Sequence, residues 1–146
     1  MAQTPNQILA LDVGAKRIGV AVASLMAHLP RPLTTLDNDI KFFSELQSII
    51  ESENVGAIVV GLPRDMQGNS TQQTKDTELF VEDLKNNIDL PFIFQDEALT
   101  SQKAEDEFEA RGVPYSKADV DALAATFILE DFLLEHPHIQ DFAELA

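Results

Sequence analysis

The chain has 146 residues and a formal net charge of −15, from 10 Lys and Arg against 25 Asp and Glu. That length suits one domain with a sizeable core, and 45 % hydrophobic with 24 % charged residues is a globular composition, not a disordered one. The absence of Cys excludes a disulfide scaffold, Cys-ligated zinc and thiol catalysis, and it fits a reducing compartment. No apolar run is long enough for a membrane span, and Met1-Ala2-Gln3-Thr4-Pro5 does not open a signal peptide, so a soluble cytoplasmic protein is expected. The charge is lopsided. Residues 1–75 carry six bases and seven acids, residues 76–146 four bases and eighteen acids. Taken alone, the net charge argues against a protein that coats nucleic acid through a broad basic surface.

Gln7 to Val13 is a short, nearly continuous apolar run, which predicts a strand buried on both faces. After a turn at Gly14-Ala15-Lys16, Ile18, Val20 and Val22 alternate with Gly19, Ala21 and Ala23, predicting a second strand with one face of small residues and hence a hairpin. Pro30 and Pro32 frame an edge-like segment at Leu33–Leu36. Asp37 or Asn38 is placed to cap a helix carrying Phe43, Leu46, Ile49 and Ile50. Val55–Val60 predicts another buried strand, closed by Gly61-Leu62-Pro63 and followed by a polar loop over Arg64–Ser70. Thr77, Phe80, Val81, Leu84 and Ile88 space a helix, and Pro91–Phe94 a short strand that stops at Gln95-Asp96-Glu97. Thr100 or Ser101 can cap a helix through Ala104 and Phe108 that ends near Gly112. Ser116 with Asp119 forms a capping-box pattern ahead of a last helix to about Leu134. The tail, residues 136–146, is expected at the periphery of a single domain spanning 1–146.

The order β-β-β-α-β-α-β-α-α implies a mixed sheet with helices over its faces, and ligands of open α/β sheets bind at the carboxyl ends of strands. Acids stand at those ends: Asp12 closes the first strand, and Asp96 and Glu97 close the last. Asp121, in the first turn of the last helix, shares a face with Ala125, Ile128 and Phe132 at 100° per residue. Converging carboxylates raise each other's pKa and cost stability, and a divalent cation removes that cost. An all-oxygen donor set suits Mg²⁺ or Mn²⁺, and two such ions about 3.5–4 Å apart activate water against a phosphodiester. Taken singly, each acid has a plainer reading. Asp12 could open a turn, Asp96 and Glu97 could precede a helix, and Asp121 could complement the helix dipole. His136 and His138 have no nearby ligand residues and read as tail.

Four segments in order resemble the YqgF/RuvX family across nearly the whole chain. They are Leu9 to Ala21, Gly61-Leu62-Pro63 with Met66 and Gly68, Asp96-Glu97 with Leu99-Thr100-Ser101, and Val120 to Ala125 with Ile128-Leu129. The resemblance implies an RNase H-like fold: a mixed five-stranded sheet with helices on both faces, related to RuvC-type Holliday junction resolvases. It implies a nuclease acting in maturation of the small-subunit ribosomal RNA precursor, on structured RNA or branched DNA, as monomer or dimer. Asp12, Glu97 and Asp121 are the implied catalytic metal ligands, with Asp96 a fourth. Lys16, Arg17 and Arg64 are the candidate phosphate contacts. Two positions depart from the family pattern. Ala98 stands where an Arg is usual, and Ser116-Lys117-Ala118-Asp119 keeps one base where the family has several. Both departures remove positive charge that could hold phosphate. A module without catalysis, binding a protein partner through its acidic helices, is the rival reading. An actin-like ATPase, suggested by Asp12-Val13-Gly14 with Gly19, would need a longer chain than this.

Overall fold

The computed structural model describes residues 4–97 and 100–145, without the side chains of Thr100 and Ser101. Ala98, Leu99 and the proposed Thr100 or Ser101 cap therefore lie outside the described residues. The strands are β1 (Gln7–Val13), β2 (Arg17–Ser24), β3 (Arg31–Asp37), β4 (Val55–Pro63) and β5 (Phe92–Glu97). The helices are α1 (Phe42–Ser52), α2 (Gln72–Lys85), α3 (Thr100–Arg111) and α4 (Lys117–Glu135), with a 3₁₀ turn at Phe142–Leu145. The five strands form one sheet in the order β3-β2-β1-β4-β5. The β1–β2 and β2–β3 pairs are antiparallel, while β1–β4 and β4–β5 are parallel, so the mixed sheet predicted from the hairpin and the αβ units is the one that forms.

Strand alternation divides the core. Leu9, Leu11, Ile18, Val20, Val22, Ile58 and Val60 pack with α1 and α2 through Phe42, Leu46, Val81 and Leu84. Ile8, Ala10, Ala21, Ala23, Ala57 and Val59 pack on the opposite face against Ala125, Ile128, Leu129 and Phe132 of α4. The small residues on that second face allow a 19-residue helix to lie close to the sheet. α3 is carried on α4, where Ala104 meets Val120, Leu123 and Ala124.

Three boundaries differ from the sequence expectation. β3 runs Arg31–Asp37, longer than Leu33–Leu36, because as an edge strand it tolerates Pro32 inside a register shift near Val20 and Ala21. β5 continues through Gln95, Asp96 and Glu97, since β4 extends to Pro63 and supplies partners for all three. Neither Asp37 nor Asn38 caps α1, whose N-cap is Lys41 without a side-chain cap. Asp37 is paired with Arg17 in the sheet, and Asn38 Nδ2 donates to the Gly14 carbonyl at 2.8 Å, bracing the β1–β2 turn. The expected capping box does form at α4: Asp119 N donates to Ser116 Oγ, and Ser116 N donates to Asp119 Oδ2 at 2.9 Å. In the tail, Ile139 is buried with Phe132 and Leu133, and the Phe142 ring lies against Gly56.

Candidate active site

The same alternation that splits the core decides which acids meet. Asp12 follows Ile8 and Ala10 on the α4 face of β1. Glu97 follows Ile93 and Gln95 on the α4 face of β5. Asp96, between them in sequence, falls on the other face with Phe92. Its side chain is 72 % exposed, and Arg64 Nε donates to its Oδ1 at 2.9 Å. Asp96 is thus directed away from Asp12 and Glu97.

Two glycines let the third acid and the end of β5 approach. Gly19 pairs with Asp12 across the hairpin, and a Cβ there would overlap the Asp121 backbone carbonyl. The first turns of α4 can sit beside Asp12 only because residue 19 has no side chain. Thr35 Oγ1 reinforces this seat by donating to the Ala118 carbonyl at 2.6 Å. On the other side, Leu11 pairs with Val60, and a Cβ on the next residue, Gly61, would overlap Glu97 Oε2 and Ile128 Cδ1. Glu97 therefore folds back over β4 toward β1, and its Oε2 is fully buried.

The electrostatics follow from this placement. The Asp12 carboxyl is pushed up from 3.8 to about 8, first by burial, then by the negative charges of Glu97 and Asp121. Asp12 thus lies within reach of the charges of Glu97 and Asp121. Still, among the described residues no three His, Asp or Glu side chains are gathered tightly enough to hold a metal ion. At Asp121, Arg17 Nε donates to Oδ2 at 2.7 Å, a contact that claims one of its oxygens. Arg17, expected to face phosphate, faces Asp121 instead, and Arg64 faces Asp96. Lys16 is exposed in the hairpin turn. Oxygen-only donors and a carboxyl strongly disfavoured as an anion are what a hard divalent cation would relieve, so the residues present fit Mg²⁺ or Mn²⁺ in their chemistry. Sequence reasoning missed the Arg17–Asp121 pair. Its signal was residue parity, since Arg17 lies on the same strand face as Gly19.

Residues 6–135 match the family described as "RuvX: Holliday junction resolvase". A protein named "Putative pre-16S rRNA nuclease" from Sulfurihydrogenibium sp. is 39 % identical over 130 residues, covering 88 % of this chain and 90 % of its own. Its namesake from Thermoanaerobacter pseudethanolicus is 38 % identical over 138 residues, covering 87 % and 95 %. Among solved structures, Thermus thermophilus RuvC superposes with a TM-score of 0.56 at 14 % identity, covering 92 % of this chain and 98 % of that one. The Fowlpox virus resolvase in complex with Holliday junction DNA superposes at 0.52 and 12 % identity, covering 90 % and 99 %. These two likenesses establish the shared RNase H-like fold. With the family match spanning nearly all of the sheet and α4, the chain belongs to the RuvX family.

Proposed function

We propose that this protein is a divalent-metal-dependent nuclease that hydrolyses phosphodiester bonds, acting in the cytoplasm in maturation of the small-subunit ribosomal RNA precursor. The single observation that carries the reading is the placement of Asp121 beside Asp12 at Gly19 and of Glu97 over Gly61, where their charges help burial push the Asp12 carboxyl up to about 8. Nothing in the packing of a merely structural turn calls for two further acids whose charge bears on Asp12, because their repulsion costs stability. The names and lengths of the relatives support the same activity.

Asp12, Glu97 and Asp121 would hold Mg²⁺ or Mn²⁺, which when bound supplies an activated water and stabilises the leaving oxygen. The chain's own residues do the positioning. Gly19 and Gly61 admit α4 and Glu97, α4 carries Asp121, and Lys16, exposed in the hairpin turn, is free to meet a phosphate backbone, while Arg17 is engaged by Asp121. Asp96 is not among the residues we assign to the metal. The substrate is structured RNA, with branched DNA the alternative inherited from the fold.

The test is an Mn²⁺- or Mg²⁺-dependent cleavage assay on a structured precursor RNA and a four-way DNA junction, comparing wild type with Asp12→Asn. Loss of cleavage in the variant is expected, and equal cleavage refutes the assignment. A second reading, a catalytically silent module that binds a protein partner, is favoured by the ion pairs that occupy Arg17 and Arg64 and by the lack of a tight acidic cluster among the described residues. Calorimetric titration with Mn²⁺ separates the two: no heat and no thermal stabilisation would favour the silent module.

A further inference from the structure

We propose that Arg17 is a resident counter-ion that holds the Asp121 carboxylate until a divalent cation claims it, and that its release then supplies a guanidinium for nucleic-acid phosphate. The inference rests on the metal-dependent reading above. It assigns to Arg17 a role as a positioning residue that couples metal binding to phosphate binding.

Arg17 opens β2, and on the alternating strand it shares a face with Gly19, directly under the first turns of α4. Its Nε meets Asp121 Oδ2 at 2.7 Å, with the Arg17 side chain 34 % and the Asp121 side chain 20 % exposed. The pair is therefore screened less than a surface pair, yet open enough for the arginine to swing outward. Arg64 makes a similar contact with Asp96, but on the opposite sheet face and with an acid that is 72 % exposed, so it is not part of the same device. One guanidinium does not offset the charge of three acids. Asp12 and Glu97 stand beside this pair: Asp12 pairs with Gly19, whose missing Cβ leaves room for the Asp121 backbone, and Glu97 Oε2 is buried over Gly61. A divalent cation with Asp12 and Glu97 can therefore outcompete Arg17 for Asp121, and a carboxylate bound to the cation has less charge to offer the guanidinium.

Opposite predictions follow for a latch and for a simple structural ion pair. If Arg17 competes with the cation, Arg17→Gln binds Mn²⁺ more tightly, by about tenfold in calorimetric titration, although it removes a native contact. Arg17→Lys, which keeps the charge without the planar guanidinium, falls between the two. In the unmodified protein, Mg²⁺ shifts the Arg17 Nε–Hε resonance toward that of a solvent-exposed arginine, a measurement that needs no variant to fold. A fluorescein-labelled four-way DNA junction, titrated in Ca²⁺ and in chelator, binds wild type more tightly in Ca²⁺. Arg17→Gln loses most of that gain.

Equal or weaker Mn²⁺ binding by Arg17→Gln, with Glu97→Gln abolishing Mn²⁺ binding, overturns the latch and leaves the metal site standing. An Arg17 resonance unmoved by saturating Mg²⁺ overturns it likewise. No Mn²⁺ binding by wild type or by Arg17→Gln at millimolar concentration overturns the metal-dependent reading, and the latch with it.

Discussion

Replacing Asp12 with Asn should stabilise the metal-free protein, and the gain should grow with pH. In the folded chain the Asp12 carboxyl titrates at about 8, against 3.8 for the free side chain. The folded state therefore keeps a proton that the unfolded state has released, throughout the interval between those values. A group whose folded pKa is raised makes unfolding easier as pH rises, by about 1.4 kcal/mol per pH unit in that interval. Stability is thus highest near pH 4 as far as this group is concerned, and is lost steadily up to pH 8. Asn resembles the protonated acid in size and carries no proton to lose, so it removes this slope. Near pH 4 the two proteins should be similarly stable, and at pH 7 the variant should lead by roughly 2–4 kcal/mol, the upper figure being the full linkage. The assay is urea unfolding in EDTA at pH 4.5, 6, 7 and 8, comparing midpoints at constant m-value. A wild type with no downward slope over that range, or an Asn variant no more stable at pH 7, would refute the reasoning. It would mean that Asp12 is better solvated, or better paired, than its surroundings indicate. Adding Mn²⁺ should restore wild type and leave the variant unchanged, because only the carboxylate can gain from the cation.

The remaining predictions concern the scaffold around the acids. Gly19→Ala should cost about 1–3 kcal/mol in chemical unfolding, since its Cβ meets the Asp121 backbone and α4 has to move as a whole. Gly61→Ala should cost less stability but weaken Mn²⁺ binding at least tenfold in calorimetry, because its Cβ meets the end of Glu97 and Ile128, which can shift at the expense of the site. Ser116→Ala removes the α4 N-cap and should lower stability by about 1 kcal/mol. Phe142→Ala uncovers Gly56 and should cost about 1–2 kcal/mol, so the tail should register in thermal denaturation although it lies far from the acids in sequence. Mn²⁺ binding at pH 7 should release close to one proton, measured as a dependence of the apparent heat on buffer ionisation enthalpy, because Asp12 is largely protonated before the metal arrives.

Much of the fold was legible because its signals are local. The alternation of Ile18, Val20 and Val22 with small residues marked β2, the apolar runs Gln7–Val13 and Val55–Val60 marked the central strands, and Ser116 with Asp119 marked the start of α4. Asn38 was misread because its sequence context fits a cap, whereas its side chain serves a carbonyl 24 residues earlier in the chain. The length of β5 depended on how far β4 ran beside it, a tertiary matter. The nearness of Glu97 and Asp121 charge to Asp12 was expected from strand ends and one helix face. The ion pairs that occupy Arg17 and Arg64 could not be expected, because they join residues 104 and 32 positions apart. Gly19 and Gly61 likewise read as ordinary strand glycines until the helix and the glutamate that fill their missing side chains were placed.

The parity that separates Asp96 from Glu97 has a consequence for how this chain can vary. Register between β4 and β5 runs unbroken from Ile58 with Phe92 to Pro63 with Glu97. A single residue inserted into β5 upstream of Gln95 would carry Asp96 into the position Glu97 now holds, with the same charge and a reach shorter by one methylene. The chain therefore carries a substitute acid one step of register away, which comes into play only through a change in strand length and never through a point substitution. Insertions in β5 should be tolerated by the site to a degree that insertions in β1, where Asp12 has Leu11 and Val13 as neighbours, are not.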